Sequence, residues 1–166
     1  SPGKKIGATQ QKLIEKITAE LKLSSESSQY SVYSALMMAK LYVEKNDLDK
    51  AAKELGWALS RSEEELAPII KLRLARVEAS RGNIDLALSM IKDETSKSMT
   101  SAYSEAQGDF HMLKEDEVSA YDYYTLALSQ LKDHDSPHVK ILELKLNKVT
   151  PKSLLKEDRD AIGDQN

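Results

Sequence analysis

Cysteine is absent from this chain of 166 residues, which removes disulfides, thiolate nucleophiles and cysteine-based metal sites but leaves the compartment open. Proline and glycine are scarce, at four and six residues, so few turns can be built and long helices are favoured over many strands. A global positive field is missing as well. The net charge is −3 and the pI is near 5.7, so nothing draws the chain as a whole to nucleic acid. No apolar run approaches the ~20 residues of a membrane span; the densest, Ala35-Leu36-Met37-Met38-Ala39, is far too short. No signal-peptide pattern is visible. There is no Gly-rich phosphate loop, since Arg81-Gly82-Asn83 offers one helix-ending glycine and no cradle. Neither a nucleophile elbow nor a kinase signature occurs. What remains is 40% hydrophobic and 31% charged, the balance of a folded domain able to bury one core.

The start, Ser1-Pro2-Gly3-Lys4-Lys5, lacks methionine, and residues 1–3 read as a protease scar on a shortened chain. From there apolar residues recur at helical spacing. Leu13, Ile14, Ile17 and Leu21 stripe a helix over Lys12–Leu23, and the serine-rich run Ser24–Gln29 interrupts it. Helices are expected over Tyr30–Lys45 and Leu48–Arg61, with Asp47 as the N-cap of the second. Ser62-Glu63-Glu64-Glu65 has capping-box form, and Pro68 belongs near the start of the helix that follows, which runs to Arg81. Gly82 supplies a left-handed terminus and Asn83 the next cap. Ile84–Lys92, Ser101–Leu113, Glu117–Leu131 and a helix from Ser136-Pro137 to about Val149 complete the set, with a Ser/Thr-rich loop over Thr95–Thr100.

These helices fall into pairs in a common register. Ala51, Ala87 and Ala120 are separated by 36 and 33 residues, close to the ~34-residue period of tetratricopeptide repeats. Twelve residues before each anchor stand Ala39, Ala75 and Gly108, all small; five before stand the turn residues Asn46, Gly82 and Glu115. Three before stand Leu48, Ile84 and Glu117, four after stand Leu55, Ile91 and Tyr124, and seven after stand Ala58, Glu94 and Ala127. Small residues let the two helices of a pair approach closely, while large neighbours fill the gap to the next pair. Glu94 and Glu117 mark the repeats as degenerate. The expected fold is therefore all-α, a tetratricopeptide-like right-handed helical repeat solenoid of about three helix pairs with capping helices at both ends. The expected organisation is one domain over 4–149, with repeats near 31–61, 66–94 and 101–132, a final helix 137–149 and a polar tail 150–166.

Three stretches carry a more specific likeness: YSVYSALMMAKLYVEKNDLDKAAKELGWAL, IIKLRLARVEASRGNIDLALSMIKDE and SAYSEAQGDFHMLKEDEVSAYDYYTLAL. Leu72-Arg73-Leu74-Ala75-Arg76-Val77, the following Gly82–Leu88 and the Gly108-Asp109 pair are its best markers. Over roughly Lys12–Val149 the chain resembles the YfgM family, the ancillary subunits of the SecYEG translocon. The resemblance implies a periplasmic tetratricopeptide-like domain whose single-pass inner-membrane anchor lies outside the residues given. It implies protein partners: the translocon, the membrane-anchored periplasmic chaperone PpiD, and emerging secretory proteins. It implies neither a cofactor nor a metal, and no catalysis. A soluble cytoplasmic adaptor is the alternative, and a metal hydrolase a third reading.

The most enzyme-like cluster is Asp133, His134, Asp135 and His138, whose carboxylates and imidazoles suit a transition metal. Ser136-Pro137 starts a helix between the two histidines, however, and the aspartates read more simply as loop and cap residues. His111 is expected to be a hydrogen-bonded structural histidine, Tyr124 a core residue, Tyr121 a neighbour of the last helix, and Trp57 packed on the first helix. In stacked repeats the first helix of each pair lines the concave face. Counted from the small residues, that face carries Tyr33, Leu36, Lys40 and Val43, then Ile69, Leu72, Arg76 and Ala79, then Ala102, Glu105, Asp109 and Met112. Arg73, one turn from Arg76, joins it as a candidate for an acidic peptide, with Arg76 pairing Asp109 as the plainer alternative. Chaperone-binding tetratricopeptide domains use a Lys, Asn and Arg clamp at such positions; Leu36 stands where the first clamp lysine belongs, so that clamp is not formed. The face suits an extended or helical segment of mixed character, unless, with capping helices at both ends, the protein's own chain fills part of it.

Overall fold

The computed structural model describes residues 6–24, 29–93 and 99–149. Within these every regular element is a helix: α1 (Ala8–Ser24), α2 (Gln29–Glu44), α3 (Leu48–Arg61), α4 (Ala67–Ser80), α5 (Ile84–Ile91), α6 (Thr100–Leu113), α7 (Glu117–Gln130) and α8 (Pro137–Val149). The chain divides at Gly82 into two compact units, one holding α1–α4 and the other α5–α8. The residues 1–3, Ser25 to Ser28, Glu94, the loop from Thr95 and the tail from 150 lie outside the described residues.

The turns explain why the helices stop where they do. Asn46 and Glu115 both sit at φ 60°, and Gly82 at φ 90°. These are the three equivalent turn positions of the repeat, so one left-handed residue ends the first helix of each pair. At Asn46 the N–H donates to Val43 O at 2.9 Å and the next N–H, of Asp47, to Tyr42 O at 2.8 Å. Glu115 and Asp116 repeat this double closure on Met112 O and His111 O, both at 3.0 Å. Such a closure satisfies carbonyls that a helix end would otherwise leave open. Asp47 then caps α3 by accepting from the Lys50 N–H at 3.3 Å, and Asp116 caps α7 by accepting from the Ser119 N–H at 3.1 Å. Glutamate gains nothing from a left-handed conformation, so Glu115 holds it at a cost of about 1–2 kcal/mol that the packing of α6 on α7 outweighs.

One expected start signal is used differently. Ser62 does not open α4; it closes α3, its Oγ donating to Leu59 O at 3.0 Å. The N-cap of α4 is Leu66, with Pro68 in the first turn as its missing N–H requires. Proline cannot sit deeper in a helix, so the helix begins immediately before it and the capping-box pattern is left in the loop. At the N-terminus, α1 begins at Ala8, ahead of the Lys12 expected from the apolar stripe.

In the first unit α2 folds back on α3, α3 packs on α4, and α1 lies on α2. Its core gathers Val32, Ala35, Met38, Ala39, Leu41 and Tyr42 of α2 with Ala51, Leu55 and Ala58 of α3 and Ile70 and Val77 of α4. Tyr42 fastens α1 by donating its hydroxyl to Glu15 Oε1 at 3.1 Å, and burial, followed by that carboxylate, pushes its pKa up to about 12. Trp57 is half-buried, with Lys22 of α1 4.5 Å above its ring centre and Arg61 at 4.6 Å. Lys22 also binds Glu54 at 2.5 Å, so the indole packs at the end of α1 as expected. Arg81 ties α3 to α4 by pairing Asp49 at 2.9 Å and Glu78 at 2.8 Å.

In the second unit α6 and α7 form the tightest pair, and α8 covers α7 through Leu142, Leu146 and Val149, which join Ala120, Tyr121, Tyr124 and Ala127. Gly108 explains that closeness. A Cβ placed there meets two carbons of the Tyr124 ring at 2.5 Å, so the ring lies directly over the α6 backbone. The three anchors Ala51, Ala87 and Ala120 are all fully buried, as are Ala58 and Ala127.

Candidate protein-binding cleft

The sequence-derived concave face divides into parts with different fates. Five of its residues meet in one open cleft of about 530 Å³ in the first unit. Leu36, Lys40 and Val43 reach it from α2 and Arg73 and Arg76 from α4, over a floor of Ala39, Leu55 and Val77. The α2 lip exists because Lys40 and Val43 lie one turn apart on the side of α2 away from the core residues Met38 and Leu41. The α4 lip exists because both flanks of α4 are buried, Ile70 and Val77 on one and Leu72, Ala75 and Ala79 on the other, which leaves Arg73 and Arg76 exposed in the sector between them. Glu44, at the rim, lies 4.0 Å from Lys40 on the same helix. Volume and lining are in the range of protein sites that take apolar side chains.

Other members of that face are placed elsewhere. Tyr33 lines a second, apolar groove of about 430 Å³ between α1 and α2, with Ile14, Ile17, Leu21, Tyr30 and Met37. Leu72 is 5% and Ala79 6% exposed, so neither presents a contact surface. Ile69, Ala102 and Met112 are half-buried.

Glu105 and Asp109 are engaged by the chain's own last helix. Lys145 Nζ donates to Glu105 Oε1 at 2.7 Å and to Asp109 Oδ1 at 2.6 Å. His138 Nε2 stands 2.7 Å from Glu105 Oε2, and since a carboxylate only accepts, the ring N–H donates. Tyr124 adds its hydroxyl to Asp109 at 2.8 Å. Burial alone pushes the Glu105 carboxyl up, but the bonds from Lys145 and His138 reverse this and hold it below its ordinary value. Burial, then Asp109, raises the Tyr124 phenol well above the usual range. Asp109, considered from the sequence as a partner of Arg76, is paired within its own unit by Lys145 and Tyr124.

Of the candidate metal cluster, His138 is committed to Glu105, and Asp133 Oδ1 accepts from the Asp135 N–H at 3.0 Å. Among the described residues no group of three or more His, Asp or Glu is arranged to hold a metal ion. His111 faces Asp116 at 3.1 Å and stacks on Tyr123 with ring centres 5.2 Å apart, the structural role expected for it.

A family model described as a tetratricopeptide repeat-like domain matches residues 3–151. The chain belongs to that family. Among curated proteins, the Ancillary SecYEG translocon subunit of Haemophilus influenzae is 31% identical over 105 residues, which is 63% of this chain and 52% of that protein. Its namesake in Escherichia coli is 31% identical over 108 residues, 64% of this chain and 52% of the relative. In Buchnera aphidicola the same name attaches to a protein 25% identical over 124 residues, 74% of this chain and 63% of its own length. The chain spans about half the length of the first two. The likeness read from Leu72–Val77 and Gly82–Leu88 is therefore shown by relatives bearing that name, and the all-α repeat fold by the family model.

In this tetratricopeptide repeat-like domain the sequence reading found both lips of the cleft but missed part of its make-up. Glu44 follows Lys40 at i+4, while Leu55 enters the sequence pattern only as a repeat position and Val77 only within the Leu72–Val77 marker. Lys145 and His138 lie 40 and 33 residues from Glu105, and no local spacing pairs them with it. No helix among the described residues is long and apolar enough to cross a membrane.

Proposed function

We propose that this chain is a non-enzymatic protein-binding module, the periplasmic domain of a single-pass inner-membrane subunit that assists the Sec translocon. Its partners in this reading are the translocon itself, a periplasmic chaperone of the PpiD type, and emerging secretory proteins. The observation that carries it is the 31% identity to two proteins named ancillary SecYEG translocon subunits, since the repeat fold alone hosts many unrelated functions. Two features of the site support binding in place of catalysis. The cleft offers apolar floor and cationic lips with no acid–base pair at its centre, and the histidines His111 and His138 are each spent on a carboxylate within their own unit. A membrane anchor would hold such a cleft at high local concentration beside its partner, so modest affinity suffices.

The test is site-specific photo-crosslinking with the full-length protein in its native membrane. A crosslinker at Val43, exposed on the cleft lip, is compared with one at Lys53, exposed on α3 outside the cleft. The proposal expects translocon, chaperone or secretory chains on Val43 and none on Lys53. Equal capture at both positions removes the cleft from the mechanism. Capture at neither, with the protein washing off the membrane, removes the translocon reading and leaves a soluble adaptor.

A further inference from the structure

We infer that the α2–α4 cleft takes an acidic amphipathic segment, one that lays apolar side chains on Leu55 and Val77 and carboxylates on Arg73 and Arg76. This rests on the protein-binding reading above and adds the chemistry of the ligand. The first ground is a local reversal of charge. The chain as a whole is at −3, yet the cleft is lined by Lys40, Arg73 and Arg76 against one carboxylate, Glu44, which faces Lys40.

The second ground is how the cations of this unit are used. Lys22, Lys50 and Arg81 each hold a carboxylate, and Arg61 lies on Trp57. Among the described residues of the unit, no carboxylate pairs with Arg73 or Arg76; both are exposed on one lip. Arginines three residues apart on a helix stand one turn apart, and their planar forks suit two carboxylates at matching spacing. The third ground is the fate of the opposite charges. Glu105 and Asp109, the carboxylates expected to receive a basic ligand, already carry Lys145 and His138. A basic segment would meet occupied acids in one unit and repulsion at Arg73 and Arg76 in the other. The α1–α2 groove has no charged lining and makes no such distinction.

The experiment uses the purified chain and three labelled helical peptides. Each carries one leucine face, flanked by glutamates in the first, by glutamines in the second and by lysines in the third. Fluorescence anisotropy at low and high salt reads the affinities. Two carboxylate–arginine contacts at a partly exposed lip should make the glutamate peptide bind about tenfold tighter than the glutamine peptide. The lysine peptide should bind weakest, and raising the salt should narrow the gap. Arg73→Gln with Arg76→Gln should erase the glutamate preference, so that the glutamate and glutamine peptides bind this variant equally. Far-ultraviolet circular dichroism checks that this double variant keeps its helices. An equal affinity for all three peptides overturns the inference while leaving the protein-binding reading in place, as does a preference that survives the double substitution. Absence of binding by any peptide also overturns it. Loss of the underlying reading shows separately, as failure of the Val43 crosslink in the membrane.

Discussion

Replacing Gly108 by alanine pits two effects against each other. In a helix interior the change normally stabilises by about 1 kcal/mol, because glycine carries the larger entropy loss on folding. Here the added methyl lands 2.5 Å from Cδ1 and Cε1 of Tyr124 and 3.1 Å from Cζ. Carbon atoms prefer about 3.5–4.0 Å, so the ring must retreat by roughly 1 Å. Tyr124 has little room to do so, being 3% exposed and held through its hydroxyl by Asp109 at 2.8 Å. Overpacking of this kind costs about 1–3 kcal/mol, and a buried, hydrogen-bonded ring places it at the upper end. The net expectation is a loss of about 2 kcal/mol, read as a fall of about 4–8 °C in the thermal midpoint by circular dichroism. The repeat itself supplies the control. Where the first two repeats carry alanine at this position, their partners four residues past the anchor are Leu55 and Ile91; only the third repeat pairs glycine with tyrosine. Tyr124→Leu in the Gly108→Ala background should therefore cost less than it does alone, with a favourable coupling of about 3 kcal/mol across the cycle, the overpacking cost that leucine removes. If Gly108→Ala raises the midpoint instead, the close approach of α6 and α7 is not the reason for glycine, and the steric account fails.

Glu115→Gly should stabilise by about 1 kcal/mol, since it relieves a left-handed residue at φ 60°; an unchanged midpoint would mean that conformation is free of strain. Asp47→Ala and Asp116→Ala should each cost about 1 kcal/mol through loss of an N-cap, measurable as shifts in the urea midpoint. The folded Glu105 carboxyl sits below its ordinary value of 4.5, so its share of the stability is complete above about pH 4.5 and fades as pH falls through the lower, folded value. Lys145→Met should destabilise by about 2–3 kcal/mol at neutral pH and move this acid limb upward, because burial then acts against the remaining His138 bond alone. Stability measured against pH decides it: an acid limb that does not move in this variant refutes the assignment.

Much of the fold is legible because its determinants are local. The stop of α2 at Asn46 and of α4 at Gly82, and the start of α3 at Asp47, are set by residues within one turn of the boundary, so reading three or four neighbours suffices. Ser62 shows the limit of that reading. Its hydroxyl can serve the helix before or the helix after, and only the competition with Leu59 O and the position of Pro68 settles the choice.

By itself, then, the sequence determined the helical punctuation, the repeat register and the small residues at Ala39, Ala75 and Gly108, all of which depend on backbone geometry and spacing along one chain. Only the tertiary structure decided which charges are paired within the chain. Arg73 and Arg76 stay on an open lip because both flanks of α4 are buried, through Ile70 and Val77 on one and Leu72, Ala75 and Ala79 on the other, whereas Glu105 and Asp109 are taken by residues of α8 brought 33 to 40 positions back along the chain. Helical periodicity assigns a side chain to a face. What meets that face depends on which other helix is packed there, and a buried carboxylate accepts whatever cation the packing delivers.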